Sequence, residues 1–305
     1  SGSAPATVAA VGSMTIPILN ELGYDKKFST AIVAVAGGLG VIIPPSIPFI
    51  MFGTTSGESV SDLFIAGIIP GIIIAFLLMG YAIAYCKKNG EDRERIENVI
   101  GELKKKGLVN ILKESFFALL SPVMILGCIY TGVASPTEAA VLSVFYALII
   151  SVFVYKTIDA KVLLNVCIET VRTYAPILFI LAASVAFSRV LTLMQVPQLV
   201  SEWISVNFTN KIILLLVINL VLLVVGMVMD TTPAILILTP ILIPIVHSIG
   251  INPIHFGVIM IVNLAIGFIT PPIGVNLFVA SSLTDIPVMD ITKKALPMII
   301  CFIIA

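Results

Sequence analysis

Charged residues are scarce in this sequence, and their scarcity constrains the class of protein. Only 11% of the 305 residues are charged, whereas 59% are hydrophobic and the mean hydropathy is +1.14. This balance excludes an ordinary soluble domain and indicates an all-α polytopic membrane protein whose helices contact the lipid bilayer. Basic and acidic residues number 17 each, so no global basic surface favours a nucleic acid partner.

Residues that usually carry enzyme chemistry are also few. The four cysteines (Cys86, Cys128, Cys167 and Cys301) are widely spaced and show no metal-ligand pattern, so they are interpreted as small apolar residues. The two histidines, His247 and His255, flank one predicted turn. Neither a His-Glu-x-x-His nor a Gly-x-Ser-x-Gly motif occurs, so an intramembrane hydrolase is disfavoured and no enzyme activity is predicted.

The start of the chain lacks an initiator methionine and a basic signal-peptide region. It opens on small residues, Ser1-Gly2-Ser3-Ala4-Pro5. We expect a fragment that begins within a structural element.

The sequence does contain an internal repeat. Gly40-Val41-Ile42-Ile43-Pro44-Pro45-Ser46 resembles Gly267-Phe268-Ile269-Thr270-Pro271-Pro272-Ile273, at an offset of 227 residues. The same offset aligns Pro17 with Pro244, Gly23 with Gly250, and Pro70 with Pro297. A chance similarity would not keep glycine and proline aligned over that length, so we predict two homologous structural repeats.

Each repeat is predicted to contain one helix that breaks at membrane depth. The two candidates are residues 28–55 and 252–282, because paired prolines remove backbone donors and glycines loosen the helix. In lipid, carbonyl groups freed in this way are tolerated only beside protein or a polar cavity. Paired interrupted helices in two halves of a sequence indicate a transporter binding site.

The remaining apolar segments predict two re-entrant hairpins and several spanning helices. The first hairpin has its tip at residues 1–3 and its returning arm at residues 8–22, and the second has arms at 212–229 and 234–248 around Asp230-Thr231-Thr232-Pro233. Spanning or scaffold helices are predicted at 63–86, 115–130, 139–155, 162–195 and 290–305, and an interfacial segment with Trp203 at 197–210. We predict a first transport repeat at 1–86, a cytoplasmic amphipathic segment with scaffold helices at 87–210, and a second repeat at 211–305.

The basic residues predict the orientation of these segments. If Lys87 is cytoplasmic, 14 of the 17 basic residues fall on that side, and Lys211 lies in an outer loop. The two hairpins then open to opposite sides of the membrane. The repeats are therefore predicted to be inverted, as in many secondary transporters.

Polar residues at the hairpin tips and helix breaks are the candidate ligands. Hydroxyl, amide, carboxylate and freed carbonyl oxygens suit a hard cation such as sodium, although serine and threonine in membrane helices also bond back to the backbone. Asp230 needs a partner at the end of its apolar run, and sodium or substrate is favoured over a proton relay. For Glu138, Arg172 and Arg189 we expect a structural Glu138–Arg pair or a subunit contact. The candidate ligands are Ser1, Ser3, Ser46, Asp230, Thr231, Thr232, Thr270 and Asn276.

Several motifs together resemble the large membrane subunit of TRAP (tripartite ATP-independent periplasmic) transporters. They are Ser-Gly-Ser-x-x-Ala-Thr-Val-Ala at the start, Gly-Gly-x-Gly-x-x-Ile-Pro-Pro-Ser at 37–46, Ser-Pro-Thr-Glu-Ala-Ala at 135–140, Asp-Thr-Thr-Pro-Ala at 230–234 and Thr-Pro-Pro-Ile-Gly-x-Asn-Leu-Phe at 270–278. The resemblance covers essentially the whole chain. It is greatest to the sialic-acid branch, and the C4-dicarboxylate branch shares these motifs.

The resemblance implies an elevator-type, sodium-coupled importer of an organic acid in the bacterial inner membrane. It further implies a periplasmic substrate-binding protein and a small four-helix membrane subunit, which is sometimes fused upstream. A proton-coupled antiporter of similar architecture is the alternative. The implied substrate residues are Ser1, Ser3 and Ser46, the first sodium site is Ser3, Gly38, Ile43 and Pro45, and the second is Asp230, Thr231, Thr232, Gly267, Thr270, Pro272 and Asn276.

Overall fold

The computed structural model describes residues 2–89, 108–196 and 210–305, together with residues 198, 199 and 202. Every regular element in this part of the chain is helical, as the composition predicts. The chain divides into two compact units, one formed by Ser1–Glu97 with Phe187–Ala305 and the other by Asn98–Ala186.

Four helices make up the first repeat, and their boundaries follow local sequence signals. Helix α2 begins after Asp25, whose carboxylate accepts a hydrogen bond from the Lys27 N–H (3.0 Å). Helix α3 ends at Gly57, whose φ of +83° favours glycine. The bounds are α1 Ala4–Glu21, α2 Lys26–Ala36, α3 Ile47–Ser56 and α4 Val60–Asn89.

The second unit consists mainly of α5 (Leu108–Tyr130), α6 (Pro136–Ile149) and most of α7 (Ala160–Leu193). Helices α5 and α6 pack together as a helical hairpin, and the Tyr146 hydroxyl donates to the Phe117 carbonyl oxygen (2.7 Å). A π-helical turn at Ile150–Val154 extends α6.

The expected pairing of Glu138 with an arginine is wrong. Glu138 instead completes the capping box of α6, with its Oε2 accepting from the backbone N–H and the hydroxyl of Ser135, each at 2.8 Å. Arg172 forms an ion pair with Glu169 of its own helix (2.9 Å). The predicted interfacial segment around Trp203 falls almost entirely outside the described residues.

The second repeat reproduces the helices of the first. Helix α9 (Thr231–Ser248) begins and ends 227 residues after α1, and the next three helices begin within one residue of the same offset. These are α10 (Pro253–Gly267), α11 (Val275–Thr284) and α12 (Val288–Ile304), and they are preceded by α8 (Lys211–Val228).

The contacts between the two repeats are reciprocal. Helix α1 packs on α11 while α9 packs on α3, and α2 packs on α12 while α10 packs on α4. Exchange of equivalent partners is what a two-fold relation between the repeats requires. The predicted duplication is thus a property of the packing as well as of the sequence.

Both interrupted helices are present. Helix α2 stops at Ala36 and α3 starts at Ile47, while α10 stops at Gly267 and α11 starts at Val275. We call residues 37–46 the first break and residues 268–274 the second break. Buried apolar side chains on the breaks and the helices beside them form the core, including Val41, Ile42, Phe268, Ile269, Leu277 and Phe302.

Four described helices are long and apolar enough to cross a membrane: Val60–Asn89, Pro136–Val154, Lys211–Val228 and Thr231–Ser248. Much of their apolar surface faces outward; in α8, Ile212, Leu216 and Leu220 are each more than 60% exposed. Outward apolar faces are expected of helices that contact lipid or a membrane partner. Helices α8 and α9 touch each other only sparsely, because α8 packs mainly on α10 and α9 mainly on α3.

Candidate functional site

The first break lies against the beginning of α1. Gly2 contributes its carbonyl oxygen as acceptor for the Ile47 N–H (3.2 Å), and the Ser3 carbonyl oxygen accepts from both the backbone N–H and the hydroxyl of Thr7. A β-carbon at position 40 would overlap the Thr7 hydroxyl, so glycine allows the close approach of the two segments here. This close approach gathers several backbone carbonyl groups of residues 2–4 and the first break in one place.

The second break lies against the end of α8 in the same manner. The Ile273 N–H donates to the Met227 carbonyl oxygen (3.3 Å), and the Asn276 N–H donates across the break to the Phe268 carbonyl oxygen (3.1 Å). A β-carbon on Gly267 would overlap the backbone of Gly226. The backbones of α8 and α10 are therefore in direct contact, as small residues permit between membrane helices.

Asn276, two residues after the second break, joins α11 to the part of α2 just before the first break. Its side chain is fully buried, and its amide nitrogen donates to the Ala34 carbonyl oxygen in α2 (3.1 Å). The Asn276 Oδ1 atom has no hydrogen-bond donor among the described residues. A buried acceptor without a donor is costly, so this oxygen is available to a cation or a water molecule.

The second tip, residues 229–232, carries the carboxylate predicted to bind sodium. Asp230 precedes α9 and is exposed, and its Oδ1 accepts from the Thr231 hydroxyl at 3.2 Å. Thr231 is buried and Thr232 is half-buried. The carboxylate therefore has one hydroxyl partner from its own tip and stays open to solvent on the rest of its surface.

Two predicted hydroxyl ligands are already engaged with the backbone. Ser46, fully buried, donates to the Val41 carbonyl oxygen (2.5 Å) and accepts from the Phe49 N–H (3.3 Å), which caps α3. Thr270 donates to the Ile266 carbonyl oxygen (2.7 Å). The Ser46 oxygen, which already accepts one hydrogen bond, retains one lone pair for another ligand, whereas the Thr270 oxygen only donates and retains two.

Of the first predicted set, the Ser3 and Pro45 carbonyl oxygens lie where the start of α1 meets the first break, whereas Gly38 lies against Phe302. A β-carbon on Gly2 would lie 3.2 Å from the Pro45 carbonyl oxygen, and one on Gly40 would lie 3.3 Å from that of Ser3. Gly38 is buried in the same break and Ile43 is exposed. Ser1 lies outside the described residues.

The placement of the second predicted set is mixed. Gly267, Thr270 and Pro272 belong to α10 and the second break, beside the end of α8. The Asn276 side chain, predicted to serve this set, points instead to the first broken helix, next to Gly37.

Two oxygens near the first break were not predicted from the sequence. The Thr7 hydroxyl lies beside Gly40, and the Ala34 carbonyl receives the Asn276 amide. Thr7 follows Ser3 by one helical turn, and that spacing was the available signal. The Ala34 carbonyl carried no signal, because its role depends on contact with the other repeat.

Comparison with known families decides the identity of this arrangement. The profile of the family described as "Tripartite ATP-independent periplasmic transporter, DctM component" matches residues 1–305. The chain belongs to this family of TRAP transporter large permeases. The resemblance seen in the sequence motifs is thereby confirmed.

Several curated relatives are TRAP permeases with different substrates in their names. An isethionate TRAP transporter permease protein of Oleidesulfovibrio alaskensis is 44% identical over 299 residues, covering 98% of this chain and 46% of the relative. A C4-dicarboxylate TRAP transporter large permease protein of Pseudomonas aeruginosa is 39% identical, covering 100% of this chain and 70% of the relative.

The sialic-acid branch is one of several represented among the relatives. The sialic acid TRAP transporter large permease protein of Vibrio cholerae is 35% identical, covering 98% of this chain and 69% of the relative. This chain thus spans about half to two thirds of the length of these relatives. All three are transport permeases rather than enzymes, in agreement with the sequence prediction of no enzyme activity.

Proposed function

We propose that this TRAP permease chain forms the transport body of a sodium-coupled importer of an organic anion. The observation that carries the proposal is the pair of helix breaks, each with polar backbone next to a tip, with Asn276 linking the two repeats beside them. Interrupted helices at the interface of two repeats are where secondary transporters bind substrate and coupling ions.

The first sodium ion would bind among carbonyl oxygens from residues 2–4 and from the first break. Ser3, Gly38, Ile43 and Pro45 are the proposed ligands. The amide nitrogen of Asn276 lies 3.4 Å from the position of a β-carbon on Gly37, the residue before Gly38, and the Oδ1 atom of the same side chain has no donor in the described part of the chain. Oxygen-only coordination from backbone and amide groups suits a hard monovalent cation.

The second sodium ion would bind at the second tip and second break. Asp230, Thr231 and Thr232 supply carboxylate and hydroxyl oxygens, while Gly267, Thr270 and Pro272 supply backbone carbonyl oxygens. The partial exposure of this tip supports access of the ion from solvent. The contribution of Asn276 to this second site, as first predicted, is less well supported than its contribution to the first.

The anionic substrate would bind near the beginnings of α3 and α11. Both helices start within the breaks, at Ile47 and Val275, and the N-terminus of a helix attracts a negative group through its free N–H donors and its dipole. Ser1, Ser3 and Ser46 are the proposed contacts. The relatives' printed substrates (isethionate, C4-dicarboxylates and sialic acid) are all organic anions, so sialic acid and a C4-dicarboxylate are equally supported.

Movement of the whole body would provide alternating access. The reciprocal contacts between repeats support an elevator-like motion of hairpins and broken helices as one piece, with α8 and α9 as a re-entrant hairpin. We further propose a periplasmic substrate-binding protein and a small four-helix membrane subunit as partners, in the bacterial inner membrane. The name of the relative from O. alaskensis, DctMQ, suggests that the small subunit is fused to the permease in some members.

Uptake into proteoliposomes tests this proposal. The complete permease, with its small subunit and binding protein, would be reconstituted and supplied with labelled sialic acid, a C4-dicarboxylate or isethionate. We expect uptake of one of these anions to require both the binding protein and an inward sodium gradient. Uptake driven by a pH gradient with potassium in place of sodium would instead support the proton-coupled antiporter.

A further inference from the structure

We propose that one end of the first unit binds the headgroup of an anionic phospholipid, with the acyl chains lying along α4 and α12. This end is formed where α2 begins, α4 ends and α12 begins. We call it the lysine end, and it comprises Lys26, Lys27, Lys87, Lys88, Lys293 and Lys294.

Hydrogen-bonded ion pairs fix the three elements to one another at the lysine end. Lys27 Nζ lies 2.7 Å from Asp290 Oδ2, and Lys294 Nζ lies 3.2 Å from Asp25 Oδ2. Lys294 also donates to the Tyr85 hydroxyl (3.1 Å). The lysines of both repeats are therefore held close together in space, in agreement with their predicted location on one side of the membrane.

Positive charge at the lysine end exceeds the negative charge nearby. Asp25 and Asp290 pair with Lys294 and Lys27, and Glu21 at the end of α1 and Asp285 just before α12 are further acidic residues, so six lysines stand against four carboxylates. Lys293 is only loosely paired, 3.8 Å from Asp290, and Lys26, Lys87 and Lys88 have no ion pair within the described ranges. These ammonium groups are available to phosphate oxygens.

An apolar face leads directly to the lysines on α4. Phe76, Met79 and Ile83 are 66%, 49% and 57% exposed, and they are spaced by three or four residues from one another and from Lys87. This spacing places all four on one face of the helix. A lipid acyl chain on the apolar residues would place its headgroup beside Lys87.

The same arrangement recurs on α12, which packs against α4. Met289, Leu296 and Ile300 are each more than half exposed, and they share a helix face with Lys293. Two adjacent helices thus each present an apolar face that includes a lysine: Lys87 ends the face on α4, and Lys293 lies between Met289 and Leu296 on α12. A soluble phosphate would use only the lysines, whereas a phospholipid would use both parts, so the surface fits the lipid.

The opposite end of the repeat pair does not share this charge. At the positions related by 227 residues, Asp25, Lys27, Asp290 and Lys294 correspond to Asn252, Ile254, Leu63 and Gly67. The lysine near that turn is Lys211, whose Nζ lies 3.5 Å from the position of a β-carbon on Gly250. The two repeats pack with nearly two-fold symmetry, but their charged residues do not follow that symmetry. Anionic-lipid binding is therefore confined to the lysine end.

Lipid titration of the purified permease in neutral detergent tests the proposal. Fluorescent phosphatidylglycerol, phosphatidylcholine and water-soluble glycerol phosphate would be compared as probes. The test variant Lys87→Gln/Lys293→Gln removes two lysines and leaves the ion pairs of Lys27 and Lys294 intact. The control variant Lys211→Gln removes one lysine of the same unit beside Gly250, away from the proposed surface.

We expect the protein to bind phosphatidylglycerol more tightly than phosphatidylcholine. The test variant should lose about tenfold or more of that affinity, because each lysine near an anionic surface contributes a factor of about five, and the control variant should retain it. Equal affinity for the two lipids, or equal losses in the two variants, would overturn the proposal. Glycerol phosphate binding as tightly as the lipid would assign the surface to a soluble phosphate instead.

Discussion

The side-chain amide of Asn276 in α11 donates a hydrogen bond to the backbone carbonyl of Ala34 in α2, across 3.1 Å and from one repeat to the other. The Asn276 side chain is fully buried, and its oxygen, Oδ1, accepts no hydrogen bond in the described part of the chain. This contact makes the geometry of the first break depend on the second repeat. Binding at one break is therefore expected to respond to changes in the other repeat.

Replacement of Asn276 by leucine should weaken sodium dependence. The variant keeps a similar volume but removes the donor to Ala34 and the free Oδ1. Loss of one such interaction costs about 0.5–1.5 kcal/mol, equivalent to a roughly two- to tenfold rise in the sodium concentration for half-maximal uptake. Thr292→Val is the matched control, because the buried Thr292 hydroxyl bonds only to Val288 of its own helix. An equal shift in both variants would remove Asn276 from the site.

Gly267→Ala should destabilise the contact between α8 and α10. A β-carbon at this position would overlap the backbone of Gly226, which cannot move aside as a flexible side chain would. Overpacking of this kind costs about 1–3 kcal/mol or more, and the midpoint of thermal unfolding in detergent measures it. Gly80→Ala in α4 is the control, since no atom beyond its chain neighbours and the backbone of its own helix lies within 4 Å of its β-carbon position. It should be neutral or slightly stabilising, and a Gly267→Ala midpoint as high as that of Gly80→Ala would contradict the packing described.

Ser46→Ala should raise the substrate concentration for half-maximal uptake more than loss of a helix cap alone explains. The Ser46 hydroxyl caps α3 by accepting from the Phe49 N–H at 3.3 Å, and the Ser135 hydroxyl caps α6 by accepting from the Glu138 N–H at the same distance. Each replacement by alanine should lower stability by about 1 kcal/mol. An unchanged half-saturation concentration in Ser46→Ala, as expected for Ser135→Ala, would leave Ser46 with a capping role only.

The interaction between Asp25 and Lys294 should stabilise the protein at neutral pH and not in acid. Burial opposes the charged form of Asp25, but the Lys27 N–H and the Lys294 ammonium outweigh it and hold the pKa of Asp25 below its ordinary value. A lowered pKa stabilises the folded state above the ordinary carboxyl pKa of about 3.9, and the contribution is lost as pH falls through the folded-state pKa.

A double-mutant cycle with Asp25→Asn and Lys294→Gln measures this interaction. We expect a coupling free energy of about 0.2–1 kcal/mol at pH 7, because both side chains are partly exposed. The coupling should decrease as pH falls through the folded-state pKa of Asp25, which lies below its ordinary value. A coupling that persists undiminished in acid would show that the carboxylate charge is not its source.

The sequence predicted the repeated helices and breaks well, because glycine and proline act locally on the backbone. Pro44-Pro45 and Pro271-Pro272 mark the positions of the interruptions, whatever the packing of the surrounding helices. The apolar runs at 8–22 and 234–248 located α1 and α9 to within a few residues of their observed bounds, and those bounds are related by the 227-residue offset. The positions of helices and of their interruptions are therefore encoded in short segments of the sequence.

Side-chain partners were less predictable, because they depend on contacts between distant parts of the chain. Glu138 was expected to pair with an arginine, yet the local capping box with Ser135 satisfies it. Asn276 was assigned to the second break from its position in the sequence, but its side chain points to Ala34, 242 residues away. The packing of α11 against α2 decides that direction, and no local pattern encodes it.

Direct sodium binding tests the central claim of a cation site at the tips and breaks. The purified permease would be titrated with radioactive sodium, using potassium and unlabelled sodium as competitors. We predict saturable binding that sodium but not potassium displaces, weakened about tenfold or more in Asp230→Asn, since bonds to charged groups contribute about 1.5–3 kcal/mol. Asp62→Asn, which changes an exposed aspartate in the first turn of α4, should bind sodium normally. Absence of saturable binding, or equal weakening in both variants, would contradict the account.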